Sequence, residues 1–210
     1  MLSSAQRRDL DDLQLAIARR DQQSIQYLLK RLLAELDYYP ALAIVVERLH
    51  GWLDIFESYT DQSYAWVRAA LVQIANYGVA PDEEALALAL RTPPSEPGLG
   101  NYLKALHDLG QAMLPKHAPS ARVGYLVSAL VNVTMAELAE SWYGERPDAW
   151  RAVRALSFDP VTGEPNDPQA AQMAYSFWTN SGTASLERRC WREIAQAIER
   201  ALLRGASASL

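Results

Sequence analysis

One stretch near the middle of the chain restricts the possible folds more than any other. Residues 123–139 read VGYLVSALVNVTMAELA, and no charged residue lies between Arg122 and Glu137. A helix with apolar residues on every side is typical of the middle of a helical bundle. The sequence therefore predicts a buried central helix over about residues 120–143, with Ser120 as its N-cap.

The same stretch carries a ridge of small or short polar residues at intervals of four, which places them on one side of a helix. These residues are Gly124, Ser128, Asn132 and Ala136. A neighbouring helix is expected to approach closely along this ridge. Because buried amides are hydrogen-bonded, we expect Asn132 to bond to that helix; a small-molecule pocket is the alternative interpretation.

The rest of the chain predicts further helices and no strand, since no run shows sustained alternation of apolar and polar residues. Ser3 and Gln6 form a capping box for the first helix, and Asp21 caps the second. A third helix is expected over about residues 41–57. The predicted fold is therefore all-α, a single globular bundle of about nine or ten helices around the central helix.

The chain length of 210 residues suits one domain over residues 1–210. A stretch rich in proline and glycine, residues 92–100 with the sequence TPPSEPGLG, interrupts the helical pattern. It is the candidate for an internal boundary.

Composition excludes several functional classes. A formal net charge of −5 disfavours nucleic acid as a partner, because phosphate binding needs a concentrated basic surface. Cys190 is the only cysteine, so no internal disulfide or cysteine-based zinc site is expected. The first residues lack the apolar core of a signal peptide, and no charge-free apolar run reaches the roughly 18 to 20 residues of a membrane span. We expect a cytoplasmic protein without a membrane segment.

The charges are unevenly distributed along the chain. Ten acidic residues but only three arginines lie between Glu35 and Glu96. The last helix is rich in arginine, at Arg188, Arg189, Arg192, Arg200 and Arg204. An acidic surface could steer a basic partner to the protein; ordinary solvated helix faces are the alternative.

Glu47 and His50 are the main candidates for metal ligands. Their spacing places both side chains on one helical face, as in half of a carboxylate-bridged di-iron site. Asp54 continues that face one turn later. No second Glu–His pair follows at this spacing, so a solvated polar face is the favoured interpretation and no metal or cofactor is expected.

Familiar catalytic motifs are missing from the sequence. It contains no Gly-x-Ser-x-Gly elbow, phosphate-binding loop or dinucleotide fingerprint. Cys190 lies on the apolar side of the last helix, between Leu186 and Ile194, which predicts an inert core thiol. No catalytic residue is assigned, and an enzyme of an unfamiliar class remains open.

Adjacent aromatic residues occur at three predicted helix ends: Tyr38–Tyr39, Trp142–Tyr143 and Phe177–Trp178. Neighbouring side chains on a helix point about 100° apart, so some of these rings should be partly exposed. Tyrosine and tryptophan are favoured interface anchors; lids over the bundle ends are the alternative. The predicted partner-binding residues are Tyr38, Tyr39, Glu83, Glu84, Trp142, Tyr143 and Trp178.

Three functional hypotheses follow. The first is a non-catalytic interaction module for a protein with a basic surface, such as an adaptor, a specific chaperone or an immunity-type inhibitor. The second is a helical-bundle metal or cofactor enzyme using Glu47 and His50. The third is a subunit of a larger assembly that contacts nucleic acid through the arginine-rich last helix. Formation of a homo-oligomer stays open in each case.

Overall fold

The computed structural model shows an all-α protein, as predicted, and describes residues 1–160 and 162–208, with side chains up to residue 205. Within these residues no strand is formed, and Phe158 and Pro165 make only an isolated β-bridge. A short 3₁₀ turn, Gln62–Tyr64, precedes α4. The helices of this part of the chain are α1 (Ser4–Arg19), α2 (Gln22–Ala34), α3 (Tyr38–Tyr59), α4 (Trp66–Tyr77), α5 (Glu83–Arg91), α6 (Leu99–Met113), α7 (Pro119–Tyr143), α8 (Pro147–Arg154), α9 (Pro168–Thr179) and α10 (Ser181–Ala208).

Helix α7 is the predicted central helix, and it packs against α2, α3, α6, α8 and α10. Its start differs from the prediction, because Pro119 occupies the first turn and Ala118, not Ser120, is the N-cap. Proline suits this position, since its φ is already helical and its missing N–H would have no partner there.

The predicted ridge on α7 is where α6 packs. Gly98, just before α6, has φ of 82°, and a β-carbon there would overlap the carbonyl oxygen of Ala136. Further along the ridge, Ser128 and Asn132 both donate hydrogen bonds to Asp108 of α6, at 2.6 and 3.1 Å. The expected interhelical bond of Asn132 is therefore confirmed.

The first two helices form a capped corner. Ser3 and Gln6 make the predicted capping box, and the Asp21 carboxylate accepts the N–H of Ser24 at 3.1 Å. Between the helices Arg20 has a left-handed conformation, with φ of 57°. Its guanidinium donates to Glu187 of α10 at 2.6 Å and to the Trp178 carbonyl at 2.9 Å, which fixes the corner against α10.

Two other helix starts differ from simple sequence rules. Helix α3 begins at Tyr38 rather than near residue 41, because Pro40 fits into the first turn, where N–H groups lack helical acceptors. Helix α10 begins at Ser181, within residues 180–185, whose sequence NSGTAS is typical of a turn. Asn180 makes this possible by accepting the N–H of Gly182 at 2.7 Å.

Most of the core is one cluster contributed by α1 to α7 and α10. Residues before and after the 92–100 stretch, such as Leu86 and Leu103, pack in this same cluster. A smaller cluster of Leu138, Ala139, Tyr143 and Phe177 joins the end of α7 to α9, with Trp150 of α8 against it.

Among the described residues, α7 is the one helix whose length and apolar composition would suffice to cross a membrane. Half of its apolar window is buried inside the bundle. The central helix of a bundle is expected to have this composition.

Candidate functional site

The predicted metal candidates lie on the outer face of α3. Glu47 and His50 are exposed, and the exposed Asp54 carboxylate accepts a hydrogen bond from Arg68 at 2.8 Å. Within residues 1–160 and 162–208, no three His, Cys, Asp or Glu side chains come together in a way that could hold a metal ion. These residues form the exposed polar face favoured by the sequence.

One side of this face is a groove of about 920 Å³ between α3 and α4, which we call the α3–α4 groove. Its apolar lining includes Leu42 and Ile74, which are buried, and the partly buried Val46. Tyr39 and Tyr77 also line the groove, and they are 72% and 77% exposed. The groove therefore combines an apolar floor with two largely solvated aromatic rings.

Glu47 and His50 supply polar groups to the α3–α4 groove. Neither side chain has an ion pair or side-chain hydrogen bond with another described residue. The carboxylate and the imidazole are thus available to a molecule bound in the groove.

The other side of α3 is a cleft of about 480 Å³ against α10, which we call the α3–α10 cleft. Its apolar lining comes from both helices: Ile44, Trp52, Ile55, Ile194 and Ala197. Trp52 is 3% exposed, and its indole N–H is buried without a hydrogen-bond partner.

An ion-pair network forms the polar end of the cleft. Arg48 of α3 binds both Glu137 of α7 and Glu193 of α10, the latter at 2.9 Å. Arg189 of α10 lies 3.6 Å from Glu137. Because Arg48 and Glu137 are about four-fifths buried, this network ties three helices together.

Glu47 and Gly51 line both cavities, so the outer face of α3 separates the groove from the cleft. We define the α3 face by five exposed residues: Ala43, Glu47, His50, Gly51 and Asp54. A β-carbon placed on Gly51 would have no atom within 4 Å. The space in front of Gly51, where the α3 face has no side chain, is therefore open to solvent.

The first predicted aromatic pair divides between core and surface. Tyr38 is partly buried, with the Arg122 guanidinium 3.9 Å from its ring centre and its hydroxyl 3.4 Å from the Ala112 carbonyl. Tyr39 points the other way and lines the α3–α4 groove. Only Tyr39 of this pair presents most of its ring to solvent.

The other two pairs meet at one end of the bundle. Tyr143 and Phe177 are buried and stack at 5.3 Å, so Tyr143 is a core lid and not a surface anchor. Trp142 is partly buried beneath Arg146, at 4.6 Å, and Trp178 is 41% exposed. The structure does not bring these rings to the α3 face.

Glu83 and Glu84 are exposed in the first turn of α5. Asp82 caps this helix by accepting the N–H of Glu84 at 2.9 Å. Glu83 has Lys116 at 3.5 Å. Both acids lie close in sequence to Gly78, a residue that lines the α3–α4 groove.

Asp108 is the centre of a second polar cluster, between α6 and α7. Its buried carboxylate accepts bonds from Ser128, Asn132 and Lys104, and His107 Nδ1 lies 3.3 Å away. Ser128 and His107 both contact the carboxylate, whereas a nucleophilic triad requires the serine to contact the histidine. This cluster therefore fits a structural role between the two helices.

Some residues of the α3–α4 groove were not predicted from the sequence. Tyr77 precedes the helix-ending Gly78, so it too is an aromatic residue at a helix end, but its neighbours are not aromatic. Gly51 offered a different signal, a glycine inside an otherwise helical stretch.

Comparison with known proteins found no match to a protein-family model, to a curated protein or to a solved structure.

Proposed function

We propose that this protein is a non-catalytic interaction module that binds a partner protein with a basic surface in the α3–α4 groove. The observation that carries the proposal is an apolar groove of about 920 Å³ lined by two tyrosines, Tyr39 and Tyr77, that are 72% and 77% exposed.

Exposed tyrosines beside an apolar floor have the features of interface anchors. A tyrosine ring offers a large apolar surface with few rotatable bonds, and its hydroxyl tolerates water until a partner binds. Burial of such rings at the centre of an interface supplies a large share of binding energy. The floor residues Leu42, Val46 and Ile74 complete a surface suited to apolar side chains of a partner.

The local charge favours a basic partner. The groove is built from α3 and α4, within the segment Glu35–Glu96 that holds ten acidic residues and three arginines. Two of these arginines are already paired, Arg48 with Glu137 and Glu193, and Arg68 with Asp54 and Glu57. Glu47 remains without a partner at the groove itself.

The arginine-rich face of α10 is a weaker basis for a function. Arg189 lies within 4 Å of two carboxylates, those of Glu137 and Glu193, and Arg188 donates to Ser185 at 3.4 Å. The two carboxylates reduce the positive charge that Arg189 presents to a phosphate backbone. Protein binding through α3 is therefore the function that the geometry supports best.

The test is affinity capture from a native lysate with wild-type protein and with two single variants, Tyr39→Ala and Tyr77→Ala. We expect a stoichiometric partner to be retained by the wild type and each variant to weaken its binding by about 2 kcal/mol, roughly thirtyfold. Higher salt should also weaken capture, because acidic and basic surfaces attract less when screened.

Tyr175→Ala is the matched control, since Tyr175 lies on α9 and is 64% exposed. This variant should capture the same partner as the wild type. If Tyr39→Ala and Tyr77→Ala retain every protein that Tyr175→Ala retains, the proposal is wrong.

A further inference from the structure

Gly51 lies inside a helix, where glycine is unfavourable, and no contact within the molecule requires a glycine there. It lies in the interior of α3, where glycine is less favourable than alanine by about 1 kcal/mol. Its φ is not in the left-handed region, and a β-carbon there would meet no atom within 4 Å. Neither backbone conformation nor internal packing accounts for the missing side chain.

The surroundings of Gly51 differ from those of a glycine needed for packing within the fold. Gly98, by contrast, has no room for a β-carbon against Ala136. Gly51 lies where the α3–α4 groove and the α3–α10 cleft meet, and Glu47 lies one turn earlier in both linings. The space above Gly51 is therefore continuous with cavities on both sides of the helix.

A second α-helix that crosses α3 at Gly51 would fit the open space there and the cavities on either side. Glycine lets two helix backbones approach closely, and side chains on either side of the contact then enter the flanking grooves. A helix seated in a groove is a recurring mode of protein recognition, and the close backbone approach that Gly51 allows suits a crossing helix.

Charge identifies the face that such a helix must present. Glu47 is exposed and unpaired beside Gly51, while the other two carboxylates of the cleft, Glu137 and Glu193, are already bound by Arg48. A lysine or arginine of the incoming helix would pair with Glu47, and its apolar residues would contact Val46 and Ile74 in the groove and Ile194 in the cleft.

Resting on the proposed function, we infer that a basic amphipathic helix of the partner crosses α3 at Gly51, so closely that a β-carbon there obstructs it. Replacement of Gly51 by alanine should therefore raise the stability of the free protein and weaken its binding to the partner helix.

The test uses Gly51→Ala and Gly51→Leu in the full chain, with Gly124→Ala as the matched control. Gly124 is also a helical glycine with no atom within 4 Å of an added β-carbon, and it lies on α7 away from both cavities. The probe is a dye-labelled amphipathic peptide of leucine and lysine about 18 residues long, or five helical turns. A peptide with glutamate in place of lysine is its control.

We expect both alanine variants to raise Tm by about 2 to 4 °C. Gly51→Ala should weaken binding of the lysine peptide roughly tenfold, and Gly51→Leu should abolish it. Gly124→Ala should bind as the wild type does. Fluorescence anisotropy measures the binding, and circular dichroism measures Tm.

Two results would overturn the inference. One is wild-type affinity of Gly51→Leu for the lysine peptide; the other is equal affinity of the wild type for the lysine and glutamate peptides. Capture of a lysate partner that requires Tyr39 and Tyr77 but survives Gly51→Leu would reject the crossing helix and leave the proposed function standing. Capture that is indifferent to the tyrosines would reject the proposed function itself.

Discussion

Cys190 is the only cysteine, and burial makes its thiol a much weaker acid than a thiol in water. It is fully buried in α10, and burial raises the pKa of its thiol from 9.0 to about 12. Part of this rise comes from the Glu137 carboxylate, because it repels a thiolate beside it. The thiol is therefore neutral at ordinary pH and serves as an apolar packing group.

We expect iodoacetamide to modify Cys190 very slowly in the native protein at pH 8 and rapidly in urea. The same shift makes stability fall at high pH. The unfolded chain ionises this thiol near pH 9 and the folded chain only near pH 12, so the stabilisation is complete below pH 9 and is lost as pH rises through this window. The loss from this group is about 4 kcal/mol at most.

Cys190→Ala provides the control, because tyrosines also ionise in this range. The free energy of unfolding should fall less steeply between pH 9 and 12 in Cys190→Ala than in the wild type, as measured by urea titration at each pH. Parallel curves for the two proteins, or rapid alkylation of the native wild type, would contradict the buried thiol.

At the scale of helices, the Arg20–Glu187 ion pair joins the α1–α2 corner to α10, and its two side chains differ in burial. Glu187 is 2% exposed, and it accepts hydrogen bonds from Arg20 and Gln22. The Arg20 side chain is 26% exposed. Removal of the arginine leaves a buried carboxylate, whereas removal of the glutamate leaves a cation that water can reach.

We therefore expect Arg20→Ala to destabilise the protein by about 3 to 5 kcal/mol and Glu187→Leu by less than about 2 kcal/mol. Arg20→Gly removes the same side chain but suits the left-handed backbone at this position, so it should be more stable than Arg20→Ala by about 1 kcal/mol. Urea denaturation followed by circular dichroism measures all three. A larger loss for Glu187→Leu than for Arg20→Ala would refute this account.

Helix boundaries show which features are readable from the sequence. Ser3 and Asp21 predicted their helices well, because a cap acts through contacts within one turn. The predicted helix starts near residue 41 and after Ser120 were wrong, because Pro40 and Pro119 fit into the first turns of α3 and α7. The α3–α4 groove was not predicted at all. Its formation depends on how far α4 stands from α3, and this distance is decided by tertiary packing.

Across the whole molecule, stability is unevenly distributed. The main cluster joins eight helices, α1 to α7 and α10, whereas α8 has no buried residue and α9 has only Ala170 and Phe177. Segments with few buried contacts open more readily than the core around them.

Amides of α8 and α9 should therefore exchange with solvent at least about tenfold faster than those in the middle of α6 and α7, a difference of about 1.4 kcal/mol in opening free energy. Phe177→Ala should speed exchange in α8 and α9 and leave the middle of α6 unchanged. Hydrogen exchange read by mass spectrometry makes both comparisons. Equal protection across the four helices would show that the smaller cluster is as stable as the main core.

The contact between Arg20 and Glu187 also has a consequence for synthesis, because the two residues are 167 positions apart in the chain. At 5 to 20 residues per second, a ribosome needs on the order of ten to thirty seconds to bridge that separation. Throughout this interval the α1–α2 pair lacks the surface of α10 that it packs against. The nascent chain thus carries an uncovered apolar face on its α1–α2 pair until α10 has been made.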